Sequence, residues 1–555
     1  MNLSENRLQS IISRASSSGQ AVVFGALGRD FEIQVTLESG GLTDTAAILL
    51  EGKSGTTWET IRSISLNSDD GSVSKYIAHD YDNIKFSITS ISGGFLSAET
   101  KTGSKVTVSR AISGDTIISA LSEGAIGNGV TDDTLNLQNV IDNAPPYSRI
   151  EVPSGTYIVS RVDPGTTDYC LNINKPLEIH LMLGATIKLA DADITNGTDD
   201  CYMVNISSSN VFIDGYGSID MNKSGQTDTT IGTNIATRNV IEMNGVYDNI
   251  QIRDIQVYDA LGSGIHLKGA LSTTPSTNIK IQNARVDQAR EGISLQWLDN
   301  VVCTNNTLLM DKTTGAQDGI QTSECNNSIV NDNYVQDALT HGINMFGEGE
   351  QTSVVGNIID QCGSGVSLGH HEAGVAGFNL LCAGNVISNV LTGYGIEVFT
   401  VSGAQRVIIE GNIIYNVVTL HAINLGVGSE ISVLNNHIDT CTIGNGVFVR
   451  SGVDSSVVSG NYITNLVGGS GIGIRCDADN CTISDNKIIG ITSFGMQIAG
   501  DNNFINANNM STEIIDDNGT SNIKINNNVT TAGLNNVGAT TPIDHDNVIG
   551  GIWTV

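Results

Sequence analysis

From residue 262 onward the chain repeats one short phrase: a small residue, an apolar one, a variable one, and a second apolar one. It reads Gly264-Ile-His-Leu, Gly292-Ile-Ser-Leu, Gly319-Ile-Gln-Thr, Gly342-Ile-Asn-Met and Gly365-Val-Ser-Leu, then Gly395-Ile-Glu-Val, Ala422-Ile-Asn-Leu, Gly446-Val-Phe-Val, Gly471-Ile-Gly-Ile and Gly495-Met-Gln-Ile. Successive phrases start 23 to 30 residues apart. Between them runs a second series, Asn followed by a short apolar stretch, at 283, 306, 333, 357, 385, 412, 436, 461, 486 and 509. Two interleaved ladders of one period signal stacked repeats. Each phrase alternates with period two, so each is a strand with one face inward. No helical pattern separates them, which excludes leucine-rich and α-solenoid repeats. The prediction is an all-β fold, a right-handed parallel β-helix whose coils pair at about 4.8 Å. The Asn series is expected to stack its amides inside a turn as a structural ladder, tolerating left-handed geometry.

Upstream, Gly215-Tyr-Gly-Ser-Ile-Asp220 and Val240-Ile-Glu-Met243 read as earlier coils, and residues 124–160 as the beginning. Thr131-Asp132-Asp133 supplies N-cap side chains for a helix carrying Leu137, Val140 and Ile141 on one face and stopping near Pro145-Pro146. Such a helix covers the open end of a solenoid. Residues 1–112 lack the phrase. Residues 2–18 are expected to form a short helix. Ala21-Val-Val-Phe, Phe31-Glu-Ile-Gln-Val, Ala47-Ile-Leu-Leu, Ile84-Lys-Phe-Ser-Ile and Val106-Thr-Val alternate as strands of a small antiparallel domain. The expected organisation is a β-rich domain over 1–112, the β-helix over 113–530, and a cap or trimer-contact segment over 531–555.

Charge narrows the function. Lys and Arg number 27 against 58 Asp and Glu, a formal net charge of −31. Nucleic acid and anionic membrane surfaces are poor partners for such a chain. With 15% charged and 39% hydrophobic residues it is not an acidic disordered polymer. No run of about 18 apolar residues exists, so no helix is expected to span a bilayer. Nine Cys occur without CxxC pairs, as expected of small buried residues rather than disulfides or zinc ligands. The opening Met1-Asn-Leu-Ser-Glu-Asn-Arg-Leu has neither a basic nor an apolar leader region, so no secretory signal is expected, and synthesis in a cytoplasm fits.

Stacking brings equivalent positions of adjacent coils to about 5 Å. The residues before the phrase glycine read Ser263, Glu291, Asp318, His341, Ser364, Tyr394, His421, Asn445. Three successive coils thus present Glu291, Asp318 and His341. Close carboxylates hold one proton between them near neutral pH, giving the acid and base that glycoside hydrolysis needs. The variable, outward position reads His266, Ser294, Gln321, Asn344, Ser367, Glu397, groups suited to sugar hydroxyls. Lys268, Gln296 and Phe346 accompany this face, and Trp297 is placed to stack on a sugar ring. A rival cluster is His370-His371-Glu372, in an expanded coil, with Tyr394, Glu397 and His421 beyond it. A His or Tyr there could abstract a proton beside a uronate. No regular ligand spacing supports a metal, and no cofactor is expected.

The stretch Gly124-Ala-Ile-Gly-Asn-Gly-Val-Thr-Asp-Asp-Thr134 with Arg149-Ile-Glu-Val-Pro-Ser-Gly-Thr-Tyr-Ile158 resembles the opening motif of pectate-lyase-like β-helix domains. That motif often begins the tailspikes and capsular polysaccharide depolymerases of bacteriophages. The resemblance implies a homotrimer on a virion tail or baseplate, attached through the N-terminal domain and released by lysis. It also implies binding and cleavage of a bacterial surface polysaccharide. The triplet is similar to that of polygalacturonase-like hydrolases, which implies Asp318 as general acid and Glu291 as the base that activates water, or the two roles exchanged, with His341 orienting or polarising and inversion at the anomeric carbon. Gln317 and Thr340 depart from that pattern, and no Arg-Ile-Lys follows, so pectin is not implied. The fold also hosts lyases, epimerases and plain adhesins. Basic residues on the coil face are sparse (Lys268, Arg290, then Arg450 and Arg475), which favours hydrolysis and a neutral glycan.

Overall fold

The computed structural model describes residues 116–529 apart from 163–167, 197–198, 230–236, 313–316, 347–349, 370–377, 399–403, 469–470, 512–514, 518 and 526. It also gives the strands of the first 109 residues and three strands after 542 as backbone. The helix expected over 2–18 lies outside the described residues. The chain folds as two compact units: residues 1–119 with 143–151 and 176–178, and residues 120–142, 152–175 and 179–555.

The first unit holds two four-stranded antiparallel sheets. One orders Ala21–Gly25, Asn83–Ser92, Thr45–Ser54 and Thr57–Asn67. The other orders Ser72–Ala78, Asp30–Glu38, Phe95–Lys101 and Val108–Ser109. Thr57–Asn67, Ser72–Ala78 and Phe95–Lys101 were not foreseen from alternation. Each mixes Ser, Thr and charge with its apolar residues, so period two is blurred.

The second unit is a right-handed parallel β-helix, the hand that parallel connections nearly always take. Each coil has three short strands. Ser263–Lys268, Ser276–Gln282 and Arg285–Asp287 make one, and Glu291–Gln296, Leu298–Thr304 and Thr307–Leu309 the next. The third strands stack into an eighteen-stranded sheet from Asn128–Asp132 to Ile552–Thr554. Its final pair, with Asn547–Ile549, is antiparallel. Inside, Ile265, Ile293, Ile320, Ile343, Val366, Ile396, Ile423 and Val447 form one continuous stack, all without solvent exposure. The cap helix runs Thr134–Asn143, begun by Asp132, whose Oδ1 accepts from Thr134 N at 2.9 Å. It buries Leu137, Val140 and Ile141. All nine cysteines are free and buried.

Two registers differ from the sequence reading. The phrase after Gly446 starts at Gly473, not Gly471. Val447 pairs with Ile474 and Phe448 with Arg475, so Arg475 takes the outward position. The glycine is obligatory there: a Cβ on Gly473 would lie 2.5 Å from the carbonyl of Gly495. The Asn ladder also shifts at its ends. Its members are Asn306, Asn333, Asn357, Asn385, Asn412, Asn436, Asn461, Asn486, Asn508 and Asn527. Each of the first nine donates its backbone N–H and its side-chain amide to the next Oδ1 at 2.9–3.1 Å. Asn283 and Asn509 are exposed and do not belong to it. The left-handed residue is the one before the ladder Asn: Asn305, Asp332, Gly356, Gly384, Gly411, Asn435, Gly460, Asp485 and Ala507 all have positive φ. Asn283 is the equivalent left-handed residue one coil earlier, followed by Ala284.

Candidate active site

One flat face of the β-helix carries the predicted polar positions. Along it the outward column runs Glu242, His266, Ser294, Gln321, Asn344, Ser367, Glu397, Asn424, Phe448 and Arg475. A second column on the same strands runs Lys268, Gln296, Ser323 and Phe346. Lys268 sits over the Trp297 ring with Nζ 4.5 Å from its centroid, so part of that ring's face is already covered. His371, with His370 and Glu372, lies outside the described residues.

Glu291, Asp318 and His341 stand at the edge of these columns on successive coils. Each precedes a phrase glycine, so a bend rather than the alternating pleat sets its direction. Asp318 is 5% exposed and accepts four hydrogen bonds. Oδ1 takes the Thr340 hydroxyl, His341 N at 3.1 Å and His341 Nδ1 at 2.9 Å, and Oδ2 takes Asn344 Nδ2 at 2.7 Å. Burial pushes its pKa up, but the His341 bond and charge, with Thr340 and Asn344, outweigh that and hold the carboxyl below its usual range. Glu291, 6% exposed, accepts only the Ser263 hydroxyl among the described residues, at 2.9 Å. Burial and then the negative charge of Asp318 raise it to about 7, against the partial opposition of Ser263, His266 and Arg290.

The pair therefore divides unequally: Glu291 keeps its proton near neutral pH while Asp318 is ionised. That order of titration matches the exchanged assignment of the pair, with Glu291 rather than Asp318 as the protonated carboxyl. The His341 side chain is the most open of the three, at 25%. When the ring is neutral and its Nδ1–H is donated to Asp318, the lone pair lies on Nε2; when it is protonated, its charge stabilises the Asp318 carboxylate.

A second carboxylate–imidazole pair stands on the other side of Glu291. Glu242 Oε2 accepts from His266 Nδ1 at 2.8 Å and from Asn239 Nδ2 at 2.7 Å. Glu242 went unnamed in the sequence reading. Its signal was present, since Val240-Ile-Glu-Met243 is the coil phrase with Glu at the variable position.

The rival cluster keeps Tyr394 and Glu397 on one coil and His421 on the next, but its imidazole is poorly built to take up a proton. His421 Nδ1 accepts Asn445 N–H at 3.0 Å, which puts the ring proton on Nε2. Burial, Arg450 and Arg475 push its pKa down to about 4. Burial and Glu397 raise the Tyr394 hydroxyl, with Arg450 in opposition. Burial likewise raises Glu397.

No family model and no curated protein matches this chain. Solved structures similar to it include the A-module of Azotobacter vinelandii mannuronan C-5 epimerase AlgE6, 15% identical over 78% of this chain and 99% of that one, with a TM-score of 0.44. The Dettilon tailspike protein is 16% identical over 62% and 67%, with a TM-score of 0.40. A Yersinia enterocolitica family 28 exopolygalacturonase is 12% identical over 96% and 99%, with a TM-score of 0.41. Likenesses this distant carry nothing about chemistry.

Proposed function

We propose that this β-helix hydrolyses a polysaccharide, with Glu291 as proton donor and the Asp318–His341 pair as proton acceptor. The observation that carries the reading is the opposed titration of two carboxylates on adjacent coils, one raised to about 7 and one lowered, at the edge of a hydrogen-bonding face. Glu291 gives its proton to the glycosidic oxygen as the bond to the anomeric carbon breaks. Water attacks that carbon from the opposite face and passes its proton to His341 Nε2. Asp318 holds the imidazole in the tautomer that can accept it. A single displacement of this kind inverts the anomeric centre.

The test is incubation with a bacterial surface polysaccharide, scored by mass spectrometry of the products. Saturated oligosaccharides support hydrolysis. Unsaturated ends would move the chemistry to a lyase, and an uncut glycan would leave a binding spike. With a cleaved substrate in hand, kcat/KM should fall about tenfold per pH unit above pH ~7, as Glu291 loses its proton. His341→Ala should lower kcat by about 10²–10⁴ with little change in KM. An unchanged kcat would remove His341 from the chemistry.

We further read the chain as a bacteriophage spike that assembles as a homotrimer and meets the virion through its N-terminal unit. The opening motif of the β-helix supports this. So does an apolar outward column on the long sheet, Tyr334, Ile358, Val386 and Ile413, in which Ile358 and Ile413 are exposed. A second copy of the chain would cover it. Sedimentation should give three chains per particle; a monomer would sink the spike reading and leave the β-helix untouched.

A further inference from the structure

We infer that the same face binds an anionic sugar residue at a second place, centred on Arg450 about five coils, or ~24 Å, beyond Asp318. The inference rests on the proposal that this face carries a glycan. It supplies the substrate class: a polymer bearing carboxylates, rather than the neutral glycan that sparse basic residues suggested.

Arg450 and Arg475 both lie against the ring of Phe448, at 5.0 Å and 4.9 Å from its centroid. Phe448 is nearly buried beneath them, so an approaching ligand meets two guanidinium groups rather than the ring. Their partners differ. Arg475 is bound by Asp477 through Nε at 2.9 Å and Nη2 at 2.8 Å, so its charge is largely answered. Arg450 has only neutral partners among the described residues: Nε donates to Asn424 Oδ1 at 2.9 Å and Nη2 to the Tyr394 hydroxyl at 3.3 Å. The two bonds and the Phe448 contact fix the plane of the guanidinium, and Nη1 has no hydrogen bond among the described residues.

In a chain of net charge −31, an oriented arginine bonded to no described carboxylate is a site for an anion from outside. His421 supports the assignment. Its Nε2–H is a donor, and its ring packs edge-on against Phe448 with centroids 5.0 Å apart. Glu397 is the one described acid of this column near Arg450. Its raised pKa and its bond from Asn424 at 3.3 Å suit a partner for sugar hydroxyls. The register found here matters, because it is Gly473 as phrase glycine that turns Arg475 onto this face.

The probe is sodium glucuronate, compared with glucose, by saturation-transfer NMR on the full chain and on Arg450→Gln and Arg450→Lys. Glucuronate should bind the wild-type chain in the millimolar range, and glucose should give no signal at the same concentration. Arg450→Gln should weaken glucuronate by about tenfold or more. Arg450→Lys should fall between, since it keeps the charge and loses the fork. Unaltered melting of the variants shows that the fold is intact. Equal binding of glucuronate by Arg450→Gln, or no binding by the wild-type chain up to ~50 mM, would overturn the site. Neither result depends on whether the chain cleaves a glycan, so this inference and the hydrolase proposal fail separately.

Discussion

Glu291→Gln is expected to lose about 10²–10⁴-fold in glycan cleavage while folding normally and becoming more stable at alkaline pH. Glutamine keeps the size of the side chain and its bond from Ser263 but has no proton to give. The stability change follows from the same displaced titration. The Glu291 carboxyl ionises near 4.5 in an unfolded chain and near 7 in the fold. Its neutral form is what the fold accepts, so its contribution is intact below about pH 4.5 and is lost as pH rises through about 7. Over that interval the wild-type chain gives up about 3 kcal/mol that the variant does not. Paired urea titrations at pH 4 and pH 8 check this. The two proteins should coincide at pH 4, and the variant should gain at pH 8. A variant that retains full activity, or no stability gap at pH 8, would mean that Glu291 is an ordinary ionised carboxylate.

The second large effect is expected in the Asn ladder. Asn357 is fully buried. Its Oδ1 accepts from Asn333 N and Nδ2 at 2.9 Å and 3.0 Å, and its Nδ2 donates to Val330 O at 2.8 Å and to Asn385 Oδ1 at 2.9 Å. Asn357→Ala strands the Asn333 N–H and weakens the bonding of Val330 O where no water reaches. A cost of about 3 kcal/mol or more is expected in urea unfolding. Asn357→Asp should be no better, because its second oxygen would face Asn385 Oδ1. Asn509→Ala is the matched control. It lies in the same sequence series but outside the ladder, and it should change stability by less than about 0.5 kcal/mol. Equal losses at 357 and 509 would contradict the ladder register.

The sequence by itself determined the solenoid. A strand that buries one face must alternate, and a coil that repeats must return to the same inward position, so Gly264-Ile-His-Leu and its successors show period, strand and core together. The cap helix was legible for the same reason, since Leu137, Val140 and Ile141 share a face whatever surrounds them. Register within a locally ambiguous stretch was not. Gly471-Ile-Gly-Ile and Gly473-Ile-Arg-Cys both fit the phrase, and only pairing of Val447 with Ile474 selects the second and brings Arg475 beside Phe448. The Asn ladder was visible as a series, but the turn conformation belongs to the preceding residue, and Asn-Asn, Asp-Asn and Gly-Asn dipeptides show that only once φ is known. Glu291, Asp318 and His341 could be picked out by column. Their division of labour could not, because a carboxylate's titration depends on the donors and charges that other coils supply. Among the described residues, Thr340, His341 and Asn344 gather on Asp318, and only Ser263 on Glu291, through the stacking of chain segments 22 to 28 residues apart.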